Sequence, residues 1–306
     1  MFSKTIFVCA ALLLGSATAL AAETHKLELD EFGRPLLPIE FADGSSSLVL
    51  IDTAARRTGL KNELAQRLSV KVRDYSSIRH FSSGGLVERP HGLLNELSLL
   101  GRRVEDSTVA LYPDNALQDG IIGFDTYGWH IIRLHAKEQM IEFQPNTATI
   151  NRDGWQVING RFSRHFGILL STTYHGEEFD ILLATGSSRT VLDMEAAKKL
   201  GKAGAIEKPD GFQYIAMGLD TGNRGMNETV LPDFRIGAWN LGDLPVLVSR
   251  LPAYDAVGRR GSNFIMLGAD VLLAGDIAFD FRDFQIWLPA ERINQDAALL
   301  TSSGVK

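Results

Sequence analysis

The same pattern is written twice in this chain, and the repeat constrains the fold more than any other feature. The first copy reads Val49-Leu50-Ile51-Asp52-Thr53-Ala54-Ala55-Arg56-Arg57-Thr58-Gly59-Leu60. The second reads Ile181-Leu182-Leu183-Ala184-Thr185-Gly186-Ser187-Ser188-Arg189-Thr190-Val191-Leu192. In register, Asp52 falls on Ala184, Thr53 on Thr185, Arg57 on Arg189 and Thr58 on Thr190. The match continues downstream, Ala65 on Ala197 and Leu68 on Leu200. A duplication of this length predicts two similar structural units rather than one continuous architecture.

The order of elements around each copy repeats as well. A β-like run (36–41; 166–172) leads to a turn at Asp43-Gly44 or His175-Gly176, then to an apolar strand (48–51; 179–183) that runs into the motif. Apolar and small residues at helical spacing follow: Leu60, Leu64 and Leu68 in one half, Leu192, Ala196 and Leu200 in the other. Next comes a glycine-containing hairpin, 81–86 or 214–222. Each half closes with two apolar residues and glycine, Ile121-Ile122-Gly123 or Met266-Leu267-Gly268, and two more short strands (131–134 and 140–143; 277–281 and 285–288). Many short strands with turns between them predict an all-β fold of two duplicated, barrel-like lobes with a cleft between them. The polar, turn-rich stretch 146–154 reads as the linker. The expected units are therefore 22–145 and 155–290, with a tail over 291–306.

The first residues read as an export signal. Lys4 supplies the positive end, 6–14 the apolar core and Ala19-Leu20-Ala21 a small-residue cleavage site, so 1–21 is expected to be removed and the protein to be periplasmic or secreted. The apolar run falls short of the roughly 20 residues a membrane span needs, which leaves an uncleaved signal as the only expected membrane attachment. The single cysteine, Cys9, lies in this segment, so the roughly 285 residues that remain hold no thiol and no disulfide. A net charge of −6 without a dense basic cluster argues against nucleic acid as a partner.

An apolar run into Asp-Thr, followed downstream by two apolar residues and Gly, resembles the retropepsin-like aspartic peptidases, here as two tandem retroviral-type lobes over about 36–289. The resemblance implies that the motif loops meet between the lobes, that each contributes one Asp, and that the threonines brace the loops. One carboxylate takes a proton from a water while its protonated partner donates to the scissile carbonyl. Two like charges about 3 Å apart cannot both ionise, so such a pair holds a single proton. Carried over by motif position, Asp52 is a catalytic Asp, Thr53 and Thr185 are bracing threonines, Gly186 is the motif glycine, and Gly84 and Gly85 form a flap tip. The resemblance implies a peptide or unfolded-protein substrate and no cofactor or metal.

Two positions depart from that pattern. Ala54 replaces a glycine, which costs on the order of 1 kcal/mol where the turn takes positive φ. Ala184 replaces the second acid, and a methyl cannot hold a proton or polarise a carbonyl. Asp220-Thr221-Gly222 is a literal Asp-Thr-Gly, but Asn223-Arg224-Gly225 follows it rather than an apolar helix, which places it in the hairpin of the second half. Asp180 and Asp193 reach the missing position only by a register shift that turns apolar residues outward. Asp125 and Asp270 follow the two apolar-apolar-Gly motifs symmetrically and suggest a shared structural role. His130 and His135 lie on opposite faces of a strand-like run and read as surface or interface residues rather than a metal pair. The tryptophans at 129, 155, 239 and 287 are expected in the lobe cores. Three readings follow: an endopeptidase acting through Asp52 if a second acid is supplied, an inactive pseudopeptidase that binds extended peptides, or a structural or interaction protein in which Asp52 is a turn residue. Oligomeric state is not legible.

Overall fold

The computed structural model describes residues 23–82, 85–99, 102–115, 118–128, 130–145, 151–163, 167–202, 214–217, 223–250 and 263–294. Strands dominate, and they form three sheets. The strand Pro35–Phe41 alternates, with Leu37, Ile39 and Phe41 turned into the core. It turns back at Gly44, whose φ of 80° is open to glycine without strain, and pairs antiparallel with Ser46–Ile51. That second strand begins in alternation and ends in a continuous buried run, Val49-Leu50-Ile51. The change has a cause: Leu50 and Ile51 gain a parallel neighbour, Gly120–Ile122, and a strand flanked and covered on both faces buries every side chain.

The second half repeats this construction. Gly167–Tyr174 turns at Gly176, again with φ of 80°, into Glu177–Leu183, whose apolar end runs parallel to Asn263–Leu267. In strand order the first sheet is Glu28–Leu29, Pro35–Phe41, Ser46–Ile51, Gly120–Ile122, Gly59–Lys61, Arg102–Tyr112, Gly85–Leu99, Lys71–Ser82. The second is Arg161–Ser163, Gly167–Tyr174, Glu177–Leu183, Asn263–Leu267, Val191–Asp193, Trp239–Ser249, Asn223–Ile236, Tyr214–Met217. The two match position for position, and the fold is a pair of duplicated β lobes.

The stretches at helical spacing are divided between two elements. Leu60 and Leu192 lie in short strands, Gly59–Lys61 and Val191–Asp193, and only Asn62–Arg67 and Met194–Lys199 are helical. Sheet pairing claims the first residues, so tertiary contact overrides the periodicity. Helices this short are unstable alone; Leu64 and Ala65, or Ala196 and Ala197, anchor them in the core.

The third sheet is shared. Its order is Glu23–Lys26, Met140–Gln144, Ile131–His135, Ile277–Asp280, Gln285–Pro289, Trp155–Asn159. The central pair joins the halves: Ile132 faces Phe279, both fully buried. Burying each such side chain is worth about 1.5–3 kcal/mol, so the strands that close the two halves also bind them together. Trp239 sits in a lobe core as expected, but Trp287 packs with Ile131 and Ala278 on the shared sheet, with Trp155 against them; Trp129 lies outside the described residues.

The tail expected from 291 is not one throughout. Arg292 and Ile293 are buried in the 3-10 helix Ala290–Asn294. Arg292 donates to the carbonyls of Gly275 and Asp276 (both 2.7 Å), Val271 (2.6 Å) and Leu272 (3.1 Å). Burial pushes its guanidinium down to about 9, so it stays charged at neutral pH. No helix of the described residues is long and apolar enough to cross a membrane.

Candidate active site

The two motif loops meet, and their threonines lock them together. Thr53 N–H donates to Thr185 Oγ1 (3.0 Å) and Thr185 N–H to Thr53 Oγ1 (3.1 Å). Each hydroxyl then donates across the contact, Thr53 Oγ1 to the Leu183 carbonyl (2.7 Å) and Thr185 Oγ1 to the Ile51 carbonyl (2.6 Å). Both side chains are buried, so each hydroxyl satisfies two backbone groups that water cannot reach.

The loops are also braced from outside. Thr58 Oγ1 donates to Asp125 Oδ1 (2.8 Å) and accepts from Gly123 N–H (3.1 Å). Thr190 Oγ1 does the same with Asp270 Oδ1 (2.8 Å) and Gly268 N–H (3.1 Å). Asp125 also accepts from Thr58 N–H and Asp270 from Thr190 N–H. Burial raises both carboxyls, with the threonine bonds and Arg57 or Arg189 opposing the rise. Gly123 and Gly268 must be glycine, since a Cβ there would stand 2.6 Å and 2.5 Å from the backbone carbons of Arg57 and Arg189. The symmetric acids are thus latches for the loops, a structural role.

Asp52 N–H donates to the Ile122 carbonyl (3.3 Å), and Ala184 N–H to the Leu267 carbonyl (2.9 Å). Ala55 N–H bonds back to the Asp52 carbonyl (3.1 Å) as Ser187 N–H does to that of Ala184 (3.0 Å). Ala184 therefore occupies the backbone position of Asp52 in the other lobe. Its methyl is 2% exposed and shares a small apolar cluster with Ala54, Leu182, Met226 and Phe264.

Asp52 Oδ1 accepts from Ala54 N–H in its own loop (2.8 Å) and from Gly186 N–H in the opposite loop (3.3 Å). Tyr127 Oη, on the short helix Phe124–Tyr127, donates to the Asp52 carbonyl (3.1 Å). Burial raises the Asp52 carboxyl above the ordinary range, opposed by the Ala54 and Gly186 amides and by the field of Arg34. The residue as a whole is half-buried. Gly186 is required by proximity, because a Cβ on it would lie 2.5 Å from Asp52 Cγ. Ala54 does not take positive φ, so its methyl carries none of the expected turn strain.

Asp180 does not reach the site. It is buried against Arg161 Nη2 (2.8 Å) with Ser171 Oγ at 3.3 Å. Asp193 caps the helix Met194–Lys199, accepting from Glu195 N–H (3.1 Å). Asp220 lies outside the described residues, between strands that pair Met217 with Asn223. In the first half the hairpin pairs Ser82 with Gly85; Gly84 lies outside the described residues. His130 stands against the Tyr127 carbonyl and His135 near Glu142, so they form no pair. Sequence reasoning missed two residues. Gly167, with φ of 78°, brings its backbone so close to the first motif loop that a Cβ would stand 2.9 Å from the Thr53 carbonyl oxygen. Arg34 is a buried cation paired with Asp30 (2.6 Å). The two hold equivalent positions in the two halves but share no residue type, so the repeat does not reveal them.

Residues 37–126 and 170–271 each match the family described as Aspartyl protease. The two stretches together cover more than half of the chain, one per lobe, and the chain belongs to the aspartyl protease family, with retropepsin-like lobes. Membership supports a peptidase-type function with peptides as the substrate class. No curated protein matches the chain.

Proposed function

We propose that the protein is an exported member of this family that binds extended peptides between its lobes and, as a single chain, does not hydrolyse them efficiently. One observation carries the reading: Ala184 stands in the backbone position of Asp52, buried among apolar side chains. The peptidase reaction needs one group to accept a proton from water while another donates to the carbonyl oxygen. Asp52 can be base or acid at a given moment, and the opposing methyl can be neither. Loss of one acid-base group costs about 10²–10⁴-fold in rate. Peptide binding does not depend on that group, because main-chain pairing to an extended segment supplies much of the affinity. The charged, apolar and small-residue sequence of 1–21 supports export to the periplasm or medium.

A specific observation favours the second reading, endopeptidase activity when a second acid is supplied. Asp52 keeps two amide donors, partial exposure and an intact threonine lock, which is the setting a working carboxyl needs. Fluorescence anisotropy with a labelled mixture of unfolded-protein peptides, from pH 3 to 8, tests the binding proposal. Saturable binding that survives in Asp52→Asn is expected. Absence of binding at every pH would sink it.

A further inference from the structure

We infer that His135, Glu138 and Asp276 form a divalent-cation site, of the kind zinc occupies, that fastens the two halves of the chain at their shared sheet. The donor atoms of these three side chains all lie within 4.8 Å of one another. His135 Nδ1 and Asp276 Oδ2 are 3.6 Å apart. Two ligands on one zinc, at bond lengths of about 2.0–2.2 Å and tetrahedral angles, stand roughly 3.3–3.6 Å apart. That pair already has the right separation. Glu138 is exposed, so its side chain is free to swing inward.

The surroundings hold the donors as a metal requires. His135 Nε2 faces Glu142 Oε2 at 3.4 Å, leaving Nδ1 to the cation; an imidazole oriented by a carboxylate on its far nitrogen is the usual outer shell of a metal-bound histidine. Asp276 Oδ1 accepts from Ala136 N–H (3.0 Å), which leaves Oδ2 directed at His135. Arg292 holds the Asp276 carbonyl from below (2.7 Å). Imidazole with two carboxylates suits a borderline ion such as Zn²⁺ better than Ca²⁺, which prefers six to eight oxygens.

The position explains the use. His135 ends the strand Ile131–His135 and Glu138 lies in the turn after it, both in the first half. Asp276 directly precedes Ile277–Asp280 in the second half, and Leu134 faces Ile277 across the pairing. A cation held by all three ties the halves beside the central pair of the sheet, and it binds the folded chain but not the unfolded one, so it stabilises the fold by linkage.

Untagged protein titrated with ZnCl₂ at pH 7.5, by calorimetry and by thermal melting, tests the site. One Zn²⁺ per chain is expected, reversible with chelator, with a saturating rise in Tm that a tenfold excess of Ca²⁺ does not compete away. His135→Gln and Asp276→Asn should each weaken binding at least about tenfold and abolish the Tm rise, and Glu142→Gln should weaken it about 10–100-fold. His135→Gln replaces a partly exposed side chain, and its circular dichroism should match the unaltered protein. No saturable binding, or binding unchanged in His135→Gln, would overturn the assignment and leave His135 an ion-pair partner of Asp276 and Glu142.

Discussion

Gly186→Ala should reveal whether Asp52 truly reaches across the lobe contact. A Cβ at position 186 would lie 2.5 Å from both Cγ and Oδ2 of Asp52, and 3.0 Å from its Cβ. Carbon atoms in contact rest about 3.5–4.0 Å apart, so the carboxyl must withdraw by about 1 Å. Overpacking of this kind costs about 1–3 kcal/mol, and withdrawal breaks the Gly186 N–H bond for about 1 kcal/mol more. The expected loss is about 2–4 kcal/mol. Backbone strain adds nothing, because Gly186 does not take positive φ. In an Asp52→Ala background only the 3.0 Å contact with Cβ remains, and the same change should cost less than about 1 kcal/mol. Urea unfolding of the four proteins closes a double-mutant cycle with a coupling of about 1–3 kcal/mol. An equal cost in both backgrounds would show that the carboxyl does not lie against Gly186.

Thr185→Val leaves the Ile51 carbonyl and the Thr53 N–H buried without partners and should cost about 2–6 kcal/mol in urea, with Thr185→Ser restoring most of it. Burial raises the Asp52 carboxyl above its unfolded value of about 3.9, so the folded chain keeps a proton that the unfolded chain releases. Stability is therefore lost as pH rises from about 4 through the folded value, and Asp52→Asn should gain stability relative to the unaltered chain above that window and not below it. Thermal melts from pH 3 to 8 read this directly; a gain independent of pH would contradict the shift. Arg292→Met takes the side-chain donor from the carbonyls of Leu272, Gly275 and Asp276 and one of two donors from Val271, which keeps the Ala274 N–H, and should cost roughly 3–6 kcal/mol by denaturant unfolding.

The duplication made the lobes legible because the fold repeats its backbone bonds where the sequence repeats its residues. Thr53 with Thr185 and Thr58 with Thr190 align in sequence and play identical parts in space. The paired positions Asp125 and Asp270 pointed to a shared structural role, and the aligned threonines are the partners that define it. The shared sheet was not legible. Ile131–His135 and Ile277–Asp280 are short apolar runs, and nothing in their periodicity says that each pairs with the other half of the chain. The same blindness placed Trp287 in a lobe core and Arg292 in a tail. Asp276 and His135 come close only through that sheet, and no spacing along the chain marks them as neighbours. Arg34 and Gly167 hold equivalent positions, three residues before Leu37 and Leu170 in the matching strands, but they differ in residue type, so repetition of the sequence does not mark them.

Cleavage of a broad peptide mixture from pH 3 to 8 by the unaltered chain, Ala184→Asp and Ala184→Asp/Asp52→Asn tests the central claim most directly. The unaltered chain should not cleave efficiently, Ala184→Asp should gain about 10²-fold or more, and the gain should be lost when Asp52 is also replaced. Efficient cleavage by the unaltered chain, with nothing added by Ala184→Asp, would contradict that claim.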